Sequence, residues 1–135
     1  MPRNADLDAI LKAFDAIPKE ARKPIKRAID KGADELVNRM QYLAPEDDGD
    51  LKRSIQKVDI SDVAVRVEAG GAATTRPVRK GQSATFDYAL GQEFGTADMP
   101  ASSFFWPSVN TLKKRVRRRV DRAIGKAVKE AWSKS

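Results

Sequence analysis

The chain has 135 residues, 41% of them hydrophobic and 33% charged, with no Cys, no His and a net charge of +7. That composition fits one globular domain with a modest core. It excludes a disulfide frame and a thiol nucleophile, and removes the commonest general acid–base and the commonest metal ligand, so neither an enzyme nor a cofactor is expected.

The opening "MPRNADLDAILKAF" is too charged for a signal peptide, and no apolar run reaches membrane-spanning length. A cytoplasm-like compartment and no membrane partner are expected. Within residues 6–17, Leu7, Ile10, Leu11, Phe14 and Ile17 recur at helical spacing, with Asn4 or Asp6 as a candidate cap. A second helix is predicted over 19–43. Its apolar residues, Ile25 to Leu43, fill one half of a helical wheel, and Pro45 stops it.

"PEDDGDLKRSI" follows, with Gly49 as turn punctuation and a short helical turn through Leu51–Arg53. The carboxylates Glu46, Asp47, Asp48 and Asp50 read as turn and cap chemistry, or as oxygen ligands for a hard cation, although the full calcium-loop spacing is missing. Residues 54–69 alternate apolar and polar side chains around Ser61-Asp62 and predict a β-hairpin. Residues 70–86 lack periodicity and read as a long loop or arm. In "YALGQEF", Tyr88, Leu90 and Phe94 nearly fit one strand face, while Leu90 and Phe94 also sit at i, i+4. The expectation is a strand or turn over 87–95 that completes the sheet.

The last helix is predicted over 108–132. Val109, Leu112, Val116, Val120, Ile124, Ala127 and Val128 share a broad arc, and Lys114, Arg115, Arg118, Arg119, Arg122, Lys126 and Lys129 fill the opposite one. Residues 112–135 hold ten Lys/Arg against two Asp/Glu, so this segment carries the whole excess charge. The basic arc, with Arg76, Arg79 and Lys80 of the preceding loop, reads as facing DNA or an acidic partner, or as a solvated face. No aromatic residue interleaves with the arginines, so base stacking is not indicated. The fold class is α+β: N-terminal helices and a long C-terminal helix packed on a small, mainly antiparallel sheet, within one domain.

The run Phe104, Phe105, Trp106 cannot share one face, so at least one of these rings is expected to meet another chain. Phe94, Phe104, Phe105 and Trp106 are the candidate interface residues.

Three stretches carry a family resemblance. "LAPEDDGDLKRSI" resembles a Pro-x-Asp-Thr-Gly-x-Leu-x-x-Ser-Ile motif through Pro45, Asp47, Gly49, Leu51, Ser54 and Ile55, with Asp48 where Thr is usual. "YALGQEFGT" resembles Tyr-Ala-x-x-x-Glu-Phe-Gly-Thr through Tyr88, Ala89, Glu93, Phe94, Gly95 and Thr96. "MPASSFFWPS" resembles an Ala-x-Pro-Phe-x-x-Pro-Ala element through Ala101, Phe104 and Pro107, with Ser103 and Ser108 as departures. In this order, over roughly residues 20–130, they resemble the phage neck or tail-completion family typified by gene product ten of phage HK-ninety-seven. The resemblance implies a structural virion protein at the head–tail junction, in a ring of expected copy number six. Its partners would be itself, head-completion or adaptor proteins and the tail terminator or tail tube, with nonspecific contact to packaged DNA. A sequence-independent nucleic-acid-binding protein is the alternative, and an enzyme would need a metal at Asp47, Asp48 and Asp50.

Overall fold

The computed structural model describes residues 17–45, 49–77, 81 and 83–133. The expected helix over 6–17, its caps Asn4 and Asp6, and Glu46, Asp47, Asp48, Arg79 and Lys80 therefore lie outside the described residues, apart from Ile17 at the helix's end.

Helix α1 spans Lys19–Leu43, as its periodicity predicts. Pro24 lies inside it and removes one backbone donor. The first turn is held from outside: the Pro18 carbonyl accepts the N–H of Ala21 and Arg22, and Arg22 Nε donates to the Ile17 carbonyl at 2.8 Å. After Pro45, Gly49 adopts φ +82° and opens the short helix α2, Asp50–Ser54. Asp50 is thus a first-turn residue of α2 and not its cap.

Strands β1 (Gln56–Ser61) and β2 (Ala64–Glu68) form the expected antiparallel hairpin, with a bulge between Asp59 and Ser61. Two lysines clamp it to α1. Lys57 reaches Asp34 at 2.9 Å and Lys26 reaches Asp59 at 3.0 Å.

The segment after β2 is more structured than a free arm. A 3-10 turn, Ala72–Thr74, leads into β3 (Thr75–Pro77), which pairs antiparallel with β4 (Thr85–Asp87). The described strands therefore make two separate two-stranded sheets, not one. Where a strand or turn is expected over 87–95, the chain forms a helix, α3 (Tyr88–Phe94). The reason is local. Asp87 accepts the Ala89 N–H at 3.0 Å, an N-cap bond that favours helix over extended chain.

Helix α4 runs Phe105–Ser133, beginning three residues before the expected start. It packs antiparallel on α1, and the two helices lie close at Gly32, where an added Cβ would lie 2.5 Å from Val116 Cγ1. Met40, Ala44, Leu51, Ile55, Ala89 and Phe104 form the main buried cluster, so α1, α2, α3 and the start of α4 share one core.

Candidate assembly interface

Gly95 ends α3 with φ +82°, and an added Cβ there would meet the Ala101 backbone N at 2.9 Å. Only glycine fits both that conformation and that approach. The chain then doubles back. Thr96 N–H donates to the Met99 carbonyl at 2.8 Å and Ser102 N–H to the Gln92 carbonyl at 2.9 Å, while Ser103 Oγ donates to the Glu93 carbonyl at 2.5 Å. These bonds bring the first turn of α4 against Glu93.

Glu93 is only 5% exposed. Its Oε1 accepts the N–H groups of Phe104 and Phe105, both at 2.8 Å, and its Oε2 accepts that of Trp106 at 3.0 Å. A helix start leaves such donors without intrahelical partners, and an anion there meets the positive end of the dipole. One carboxylate therefore caps α4 from a distance and fixes the aromatic run. This cap explains the early start of α4. It also fits Pro107 into the first turn, where its missing N–H costs nothing. Ser108 is fully buried, and its hydroxyl donates to the Phe104 carbonyl at 2.6 Å.

Asp87 does the corresponding work at α3. Besides the Ala89 N–H, it accepts the Gly71 N–H at 2.8 Å and the Thr74 hydroxyl at 2.5 Å. Burial pushes its carboxyl up, but the bonds from Gly71, Thr74 and Ala89 outweigh that and hold it below the ordinary value of 3.8. Sequence reasoning missed Asp87. An Asp directly before "YAL" is nonetheless a helix-start signal.

The three consecutive rings separate as their spacing requires. Phe104 is 1% exposed and belongs to the core, which removes it from the candidate interface residues. Phe105 is half-buried and stacks edge-on with both neighbours, at 6.5 Å from Phe104 and 5.1 Å from Trp106. Trp106 is 51% exposed, Phe94 65% and Leu90 57%. With Ala69 and Phe105 they line a shallow cavity of about 150 Å³. Leu90 is a lining residue that the sequence reading did not include. A larger open cleft of about 540 Å³ lies between the start of α1 and the β1–β2 turn, but Arg22–Asp62 and Lys26–Asp59 pairs occupy its walls.

The remaining motif residues are structural. A Cβ added at Gly49 would lie 2.7 Å from Arg53 Nη1, and Leu51 and Ile55 are buried. Ser54 Oγ donates to the Leu51 carbonyl and accepts the Gly70 N–H, tying α2 to the chain after β2. Thr96 Oγ1 accepts the Asp98 N–H at 3.3 Å, Pro45 is half-buried, and the Tyr88 ring lies under the Arg76 guanidinium at 5.6 Å.

The basic residues divide into two groups. Arg76 bonds Asp50 at 2.6 Å and the carbonyls of Ala73 and Thr75, so it braces α2 against the 3-10 turn while its side chain stays exposed. On α4, Arg115 and Arg119 both pair with Glu35 of α1. Lys114, Arg118, Arg122 and Lys126 are exposed.

A family model matches residues 8–95: the HK97-gp10-like family, described as "Bacteriophage HK97-gp10, putative tail-component". The chain belongs to this family. The HK97-gp10-like match contains the first motif, Asp87, Glu93 and the second motif as far as Gly95, and ends before Thr96, the Ala101–Pro107 element and α4. No curated protein and no solved structure matches the chain. Family membership gives this HK97-gp10-like chain a structural role among the proteins of a phage particle.

Proposed function

We propose that this chain is a structural subunit of a closed ring at the head–tail junction of a tailed phage. Six copies are the expected number. The ring joins head-completion proteins to the tail terminator or tail tube and leaves a passage for DNA. The chain does no catalysis on this reading. The carboxylates of Asp87 and Glu93 are occupied by backbone donors and a threonine hydroxyl.

The observation that carries the reading is the exposed groove of Leu90, Phe94 and Trp106. Exposed apolar surface beside a fixed backbone marks an interaction site. Covering roughly 200 Å² of it would contribute on the order of 5 kcal/mol before association costs. A closed ring supplies such a contact to every copy.

Light scattering after size exclusion tests this. The wild-type chain is expected at a discrete mass several times that of one chain, and the Phe94→Ser/Trp106→Ser double variant as a folded monomer. A double variant that keeps the wild-type mass overturns the reading. So does a wild-type monomer that fails to join isolated heads or tails.

A further inference from the structure

We propose that the face of α4 carrying Lys114, Arg118, Arg122 and Lys126 docks on the phosphate backbone of duplex DNA. The inference deepens the junction reading and rests on it for its setting, while the contact itself is a property of the single chain.

The four cations recur every fourth residue, so they form one inclined ridge about 18 Å long, with roughly 6 Å of rise between neighbours. All four are exposed, and among the described residues none forms an ion pair. The acids that could neutralise the helix sit at its margins. Glu35 engages Arg115 and Arg119 on the flank turned to α1, and Asp121 lies 3.9 Å from Arg117 on the other side. Glu130, four residues past Lys126 on the same row, is exposed and among the described residues pairs with no ridge cation, so from Lys114 to Lys126 the row carries one sign of charge. Like charges at i, i+4 destabilise a helix by a few tenths of a kcal/mol per pair. Among the described residues no acid compensates that cost, whereas a bound polyanion would.

The geometry selects among polyanions and surfaces. The apolar stripe of α4 is packed on α1 through Val116 over Gly32 and through buried Ala127, so it is not available to enter a bilayer. No aromatic side chain stands on the ridge to anchor a protein partner or to stack unpaired bases. The row turns by about 40° at each step, and a winding row of regularly spaced cations suits the winding phosphate path of a stiff duplex. Duplex DNA presents about one phosphate per 1.7 Å of axis, or about ten along the ridge. Such contacts position without reading sequence, as a DNA passage requires.

The test is anisotropy of a short labelled duplex against salt, using the full chain. Binding should weaken linearly in log–log form with a slope of about −3 to −4 for four contacts. K114Q/R118Q/R122Q/K126Q should keep the thermal midpoint, lose at least about tenfold in affinity and flatten the slope. K19Q/K23Q/R27Q/K31Q removes equal charge from α1 and should bind nearly as wild type. Equal losses in both variants would reduce the effect to net charge and overturn the assignment. So would wild-type binding by the ridge variant, or displacement of the duplex by polyglutamate at equal charge concentration, which would point to an acidic protein. Mass measured on the same samples separates the two readings. A monomer that binds DNA through the ridge but fails to join isolated heads or tails sinks the ring alone, and a ring indifferent to duplex sinks this inference alone.

Discussion

Glu93 and Phe104 lie eleven residues apart, yet the Glu93 carboxylate accepts the Phe104 N–H at 2.8 Å and goes on to take the next two N–H groups of the chain. This single side chain joins the end of α3 to the start of α4 and sets which aromatic ring faces inward.

Replacing Glu93 tests that role. Glu93→Gln keeps one acceptor oxygen but puts an amide NH₂ opposite a backbone donor and removes the charge at the helix start. A loss of about 1–3 kcal/mol is expected. Glu93→Ala leaves three donors orphaned and should cost more. Urea denaturation measures both, and a Gln variant within about 0.5 kcal/mol of wild type would contradict the cap. Trp106 fluorescence should shift as well, because the groove is built on the same backbone.

Asp87 sets an acid-side dependence. Its folded carboxyl titrates below the unfolded value of 3.8. The unfolded chain therefore binds the proton first as pH falls, and stability declines as pH drops below about 4 toward the folded value. Above that window the contribution is fully present. Asp87→Asn should be less stable at neutral pH and show a flatter stability profile in acid. Parallel profiles for the two proteins between pH 5 and pH 2 would refute the assignment.

The long helices were legible in the sequence because their period is strong. The 3.6-residue pattern gives α1 its full length and α4 nearly all of its own. Helix α3 was harder to read: Tyr88, Leu90 and Phe94 satisfy strand and helix spacing almost equally, and the deciding group is the Asp87 side chain. The start of α4 was not legible at all, since its cap arrives from Glu93 through a fold-back of the chain. Adjacency alone showed that Phe104, Phe105 and Trp106 must diverge, but only packing tells that Phe104 goes inward. Arg76 looked like part of a basic arm because its partner Asp50 is 26 residues away.

Gly32 fixes how closely α1 and α4 pack. Alanine would gain roughly 1 kcal/mol of helix propensity but would drive its Cβ into Val116, and overpacking of that kind costs about 1–3 kcal/mol. Gly32→Ala is expected to destabilise. Val116→Ala should cost less in that background than in wild type, because it vacates the same space. A double-mutant cycle measures the coupling, and additive effects would argue against the contact.

Glu35 is the counterion that limits the basic face. Arg119 is 18% exposed and Arg115 67%, and both turn to the one carboxylate, itself 21% exposed. The pairing is made by Arg119 Nη2, while Nη1 is buried without a hydrogen-bond partner, so the guanidinium depends on Glu35 for compensation. Removing the acid leaves a mostly buried guanidinium uncompensated. Glu35→Gln should therefore cost about 1–3 kcal/mol, between the values for exposed and buried ion pairs. It should also release positive charge beside the ridge, so duplex affinity at low salt should rise while stability falls. Replacing Arg119 by Met should restore part of the stability, because the stem packing is retained and the unpaired charge is gone. Thermal melts of Glu35→Gln and of the Glu35→Gln/Arg119→Met pair measure this. A double variant less stable than the single one would mean that Arg119 holds α4 to α1 by more than its pairing with Glu35.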